Sequence, residues 1–103
     1  MPETGIVLTG KQKRFLRAMG STIEPIVQVG KGGVTDNLVQ QMDDVLEARE
    51  LVKLRVLNNS PEERDDIAGK IAAATGAAVA QTIGHTVLFY RPSQKKNPEI
   101  KLP

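Results

Sequence analysis

Pro25-Ile26-Val27-Gln28-Val29-Gly30-Lys31-Gly32-Gly33-Val34-Thr35 is the stretch from which the architecture can be read. Its first five residues include three β-branched side chains and predict a strand. Glycines at 30, 32 and 33 free the main chain from Cβ constraints. Thr35 is placed to cap a following helix, with Asp36 favourably near that helix's positive end. Strand, tight glycine loop and helix in direct succession open a strand-helix-strand unit, the building block of α/β domains.

Outward from that stretch the pattern continues. Leu38, Met42, Val45 and Leu46 form an apolar stripe at helical spacing, and Val52, Leu54 and Val56 then alternate with Lys53 and Arg55. The alternation predicts a strand with one buried and one charged face. Ser60-Pro61-Glu62-Glu63 combines capping-box spacing with proline at the first helical position, and predicts a third helix that buries Ile67, Ile71 and Ala74 and closes at Gly76. Residues 79–83 and 86–91 are strand-like, and the intervening Gly84-His85 suits a type II′ hairpin turn. Upstream, Thr9-Gly10-Lys11-Gln12 has capping-box spacing and predicts a helix over 10–19. Phe15, Leu16 and Met19 lie on its core side, opposite Lys13, Arg14 and Arg17. The order is helix-strand-helix-strand-helix-strand-strand. It predicts an α/β domain with a mixed four-stranded sheet packed with three helices, spanning residues 1–92, followed by a loose basic tail at 93–103.

Composition agrees with one packed domain. The chain has 103 residues, 40% hydrophobic and 25% charged. No apolar run approaches bilayer length, and the first eight residues lack the basic-then-apolar pattern of a secretory signal, so a cytoplasmic protein is expected. The absence of cysteine excludes a disulfide framework and thiolate-based zinc or redox chemistry.

The net charge of +2 hides an uneven distribution. Residues 1–34 carry +3, residues 35–75 carry −4 with nine carboxylates, and residues 76–103 carry +3. If folding joins the two ends, one face is basic and polyanions are its natural partners.

The glycine loop can be read as a phosphate cradle with Lys31 at its tip, or simply as the turn from strand to helix. The charge around it favours anion binding. Gly-Lys-Gly-Gly-Val-Thr is also a fragment of a nucleotide-binding P-loop, but no Gly-Lys-Ser/Thr follows, which rejects an ATPase. In the first helix, 9–20 holds four basic residues and no acidic one, whereas a merely solvated face mixes signs. Asp43-Asp44, Glu62-Glu63 and Asp65-Asp66 are adjacent pairs whose members point about 100° apart on a helix, so they read as solvated faces. His85 is the sole histidine and sits at a turn with no second ligand for a metal. Phe15 and Phe89 read as core residues, so a base-stacking platform is not expected.

Several stretches together resemble the YhbY-like family of stand-alone CRM domains, the chloroplast RNA splicing and ribosome maturation module. They are Leu8-Thr9-Gly10-Lys11-Gln12, the 25–35 stretch, Glu50-Leu51-Val52-Lys53-Leu54, Thr75-Gly76 and Ile83-Gly84-His85-Thr86-Val87-Leu88-Phe89-Tyr90-Arg91-Pro92. The resemblance implies a fold like the C-terminal domain of bacterial translation initiation factor three with an added N-terminal helix. It also implies association with ribosomal RNA in precursors of the large subunit. The residues themselves assemble no nucleophile, base or metal set, so a non-catalytic protein without cofactor, metal or small-molecule substrate, acting as a monomer, is expected. The family's GxxG loop maps onto Gly30, Lys31, Gly32 and Gly33, and its basic surface onto Lys11, Lys13, Arg14, Arg17, Lys53 and Arg55. His85 and Arg91 complete the expected RNA-binding set; His85 stands where family members often carry a basic residue. Ile100-Lys101-Leu102-Pro103 also looks family-like. A competing reading is a protein-interaction adaptor whose acidic helices bind a basic ribosomal protein.

Overall fold

A computed structural model describes residues 7–103. It contains α1 (Gly10–Gly20), β1 (Val27–Val29), α2 (Asp36–Arg49), β2 (Leu51–Val56), α3 (Arg64–Thr75), β3 (Ala78–Ile83) and β4 (Thr86–Tyr90). The sheet order is β1-β2-β4-β3. β1 pairs with β2 in parallel, and β4 is antiparallel to both of its neighbours. β1, β2 and β3 therefore run the same way with β4 inserted against them. This is the expected mixed α/β sheet with three helices.

Local chemistry explains most boundaries. The Gln12 N–H donates to Thr9 Oγ1 at 3.1 Å and the Thr9 N–H to Gln12 Oε1 at 3.0 Å, closing the capping box of α1. Thr35 Oγ1 accepts from the Leu38 N–H at 3.1 Å and starts α2. Gly76 ends α3 with φ of 78°. In the hairpin Gly84 has φ of 56° while His85 stays out of the positive region, the type II′ pattern.

Both sheet faces are covered, but unequally. α2 and α3 pack Met42, Leu46, Ile67 and Ile71 over Val52, Leu54, Val87 and Phe89. On the other face α1 lays Leu16 over Leu51, Leu88 and Tyr90. β4 is thus buried on both sides, which accounts for its unbroken apolar run Val87-Leu88-Phe89-Tyr90.

Four expectations are corrected. α3 begins at Arg64, because the Ser60 hydroxyl accepts from the Glu62 N–H at 3.2 Å and donates to the Glu62 carbonyl at 2.9 Å. This local turn outcompetes the capping box. Ala74 is exposed, since the buried face of α3 is rotated toward Ala68 and Thr75. Phe15 is 38% exposed. α1 lies so close to the sheet that only Leu16 and Gly20 are buried; a Cβ on Gly20 would come within 2.7 Å of Leu88 Cδ2.

The fourth concerns residues 93–103, expected to be loose. The Glu50 carboxylate accepts the N–H groups of Ser93 at 3.0 Å, Glu99 at 3.0 Å and Ile100 at 2.9 Å. Glu47 accepts those of Gln94 at 2.9 Å and Lys95 at 3.1 Å, together with the Ser93 hydroxyl. Ile100 and Leu102 then pack beside Leu16. Main-chain donors tied to distant carboxylates leave no compositional trace, so a polar segment conceals this docking.

Candidate nucleic-acid interface

Because β1, β2 and β3 are parallel, their carboxyl ends gather at one edge of the sheet, the usual place for ligand-binding loops in open α/β sheets. There lie the glycine loop, the 57–63 connection and the Gly84-His85 turn. The loop is a tight turn closed by the Gly33 N–H donating to the Gly30 carbonyl at 3.0 Å. Gly33 has φ of 67°, and a Cβ there would meet Glu62 Oε1 at 3.1 Å and Pro61 Cγ at 3.3 Å. Glycine at 33 is a requirement of the fold. Gly32 differs: it has no positive φ and nothing within 4 Å of where a Cβ would stand. Lys31 and Gly32 form the exposed tip.

Part of the loop's donor capacity is already used. The Val34 N–H donates to Glu62 Oε1 at 3.1 Å, and Glu62 is in turn paired with Lys70. Thr35 takes the Leu38 N–H, and Asp36 occupies the first turn of α2. The start of α2 is therefore less open to a phosphate than the glycine spacing alone implies. The loop tip and its side-chain cations remain.

Arg55 lies on the neighbouring strand, short of this loop. It pairs with Gln28 across the β1–β2 ladder, and Gly30 is two residues beyond Gln28, a separation of about 7 Å along the strand. Arg55 and Gln28 are both exposed. They share the α1 side of the sheet, since Val52, Leu54 and Val56 point to the other core. Gln28 was not anticipated from sequence; the buried-exposed-buried alternation of β1 is the signal that identifies it. Lys53, on the same side, is half-buried in a groove with Met19, Ile26 and Glu99 rather than open to solvent.

Lys11, Lys13, Arg14 and Arg17 of α1 are all exposed. At 100° per residue, Gln12 and Met19 share the flank that meets segment 93–103, while Lys13 and Arg17 take the other and Arg14 points outward. His85 is exposed at the hairpin turn, where its carbonyl accepts from the Val56 N–H at 2.7 Å. Arg64, also not anticipated, secures that turn through a 3.0 Å hydrogen bond to the Gly84 carbonyl.

Arg91 is withdrawn from the interface. It is 3% exposed, with Nη1 donating to Asp43 Oδ1 at 2.6 Å and to the Thr75 carbonyl at 2.9 Å, and Nη2 to the Asp43 carbonyl at 3.2 Å. Glu47 Oε1 lies 3.8 Å away. Its charge ties α2, α3 and β4 together at the edge opposite the glycine loop.

Near this end of the sheet the Glu47 and Glu50 carboxyls are held ionised. The Ser93 hydroxyl and the Gln94 N–H, aided by Lys95 and Arg91, bring the Glu47 carboxyl down to about 2 despite some desolvation. Burial alone would raise Glu50, but the N–H groups of Ile100, Ser93 and Glu99 and the nearby Lys96 outweigh it, and its pKa is lowered. Among the described residues no cluster of potential ligands could hold a metal ion.

Comparisons with known proteins bear on the family and the fold. The model of the CRS1/YhbY (CRM) domain matches residues 8–91. The Bacillus subtilis protein named Probable RNA-binding protein YqeI is 48% identical over 97 residues, 94% of this chain and 100% of the relative. A Haemophilus influenzae protein named RNA-binding protein is 35% identical over 93% of this chain and 95% of its own length. The solution structure of a Staphylococcus aureus protein superposes with a TM-score of 0.77 at 46% identity, covering 94% of this chain and all of the other. With the match spanning every strand and helix described above, this chain belongs to the CRS1/YhbY (CRM) domain family.

Proposed function

We propose that this protein binds RNA through the loop tip Lys31-Gly32, Arg55 and the exposed cations of α1, and that it serves ribosome assembly in the cytoplasm by holding ribosomal RNA of the large-subunit precursor. Gly32 carries the reading. The fold places no demand on a glycine there, while an approaching phosphate backbone does, because any Cβ would stand between it and the main chain. Exposed cations at Lys31, at Arg55 and along α1 supply the sequence-independent attraction that dominates nucleic-acid affinity. Relatives named as RNA-binding proteins support the same reading.

The adaptor alternative loses part of its surface. Asp43 is engaged by Arg91, and Glu47 by segment 93–103, leaving Asp44 as the exposed acid of that stretch.

Two measurements test the proposal. Lys31→Glu and Arg14→Glu should each weaken binding to a labelled ribosomal RNA fragment by about tenfold while the far-UV circular dichroism melt is unchanged. Unaltered affinity in both variants would overturn the interface. Crosslinking in cells followed by sequencing should enrich a defined large-subunit segment; dominance of transfer or messenger RNA would remove the ribosomal assignment.

A further inference from the structure

Segment 93–103 runs from the Glu50 end of the sheet to the basic helix α1, and it touches both. At the near end the Glu50 carboxylate, 1% exposed, gathers three main-chain N–H groups, and Glu47 gathers two more. Glu50 itself adopts φ of 69° with ψ of −35°, a positive-φ conformation that strains a non-glycine residue. Glycine would relieve that strain and forfeit the carboxylate. At the far end Ile100 and Leu102 complete the small core under Leu16, and Gln12 Nε2 donates to the Pro103 carbonyl at 3.3 Å.

α1 needs such support. Only Leu16 and Gly20 are fully buried, with Met19 half-buried beside them, while Lys11, Lys13, Arg14, Phe15, Arg17 and Ala18 are exposed. An isolated eleven-residue helix is marginal in water, so its position depends on tertiary contacts. Those contacts come from the sheet and from segment 93–103.

We propose that segment 93–103 is a strap that fixes α1 in its RNA-facing position, with Glu50, Ile100 and Leu102 as positioning residues for RNA binding although none of them contacts RNA. The inference rests on the RNA-binding reading of α1 given above. It assigns the strap a part in recognition through geometry rather than through its own lysines.

The test compares the full chain with Ile100→Ser/Leu102→Ser and with Glu50→Gln. Amide hydrogen exchange and binding of a fluorescently labelled RNA hairpin over a range of salt concentrations are read on each. In the serine double variant, exchange at Leu16 to Gly20 should speed by about tenfold while Val52 to Val56 and Val87 to Phe89 stay protected. RNA affinity should fall by about tenfold with a shallower salt slope, as the phosphate contacts of α1 are lost. Leu102→Met in the parent chain, which keeps the apolar contact, should leave both at the parental values. Glu50→Gln should give the same pattern more weakly and covers the case in which the double variant fails to fold.

Unchanged exchange in α1 would show that the strap does not hold the helix. A loosened α1 with parental affinity and salt slope would show that its position does not matter for RNA. Failure of the parent chain itself to bind the hairpin would overturn the underlying reading, and the exchange data separate that result from the other two.

Discussion

The two ends of the sheet use the same residue types for opposite purposes. At the end holding the glycine loop, Lys31 and Arg55 are exposed and the main chain at Gly32 is open to approach. At the other end Arg91 is 3% exposed and Glu50 1%; Arg91 donates through both Nη atoms, its buried Nε alone lacking a partner, and Glu50 accepts main-chain N–H groups, in each case from distant parts of the chain. A charge that reaches water can recruit a polyanion. A charge enclosed with its partners holds helices and strap together, and its removal leaves the others unpaired.

The sharpest way to break this contrast is to exchange its arginines for alanine. Arg91→Ala should lower stability by about 3 kcal/mol, the modest end for a buried pair because Asp43 is half-exposed and can rehydrate. Arg55→Ala should stay within about 0.5 kcal/mol. Urea denaturation followed by circular dichroism measures both, and equal losses would erase the distinction.

Within the loop the contrast recurs between neighbouring glycines. Gly33→Ala should cost about 1–2 kcal/mol, from its positive φ and the crowding against Glu62 and Pro61. Gly32→Ala should leave the melting temperature nearly unchanged yet reduce RNA affinity by about fivefold, the size of effect of one lost backbone contact. If Gly32→Ala bound RNA as the parent does, the loop tip would not be the point of approach.

Acid should act on the architectural end. The Glu47 carboxyl sits at about 2 in the folded chain against 4.5 for the free group, so its contribution is complete above pH 4.5 and is lost as pH falls toward 2. In the folded chain the NMR shifts of the Gln94 and Lys95 amides should titrate with a midpoint of about 2. Movement centred above pH 4.5 would mean that Glu47 does not hold them.

The smallest expected effect belongs to Lys31→Ala. It should reduce the slope of log affinity against log salt by about one and weaken binding a few-fold, uniformly across RNA sequences. A sequence-selective loss would instead point to base recognition by Lys31.

Much of the fold was legible because local rules coincided with it. The capping hydroxyls of Thr9 and Thr35, the glycine pattern of the hairpin and the stripe Leu38, Met42, Leu46 each report a short-range physical preference, and each appears in the structure. Ser60 is instructive for the opposite reason. Its capping box was satisfied in spacing, but a closer partner at Glu62 captured the hydroxyl. The candidate site was legible for the same short-range reasons at the loop and in α1, where basic residues occur without acidic neighbours. The exclusion of Arg91 and the exposure of Phe15 were not, because burial depends on which surfaces meet.

By itself the sequence determined the order of elements, the turn chemistry and the uneven distribution of charge, all consequences of periodicity, capping and composition over a few neighbouring residues. Tertiary structure alone decided which charges are exposed and which are consumed. Arg91 finds Asp43 across 48 positions and Glu50 finds Ile100 across 50. Whether a charged side chain serves a partner or the fold is a question of desolvation, and desolvation is set only when distant segments pack.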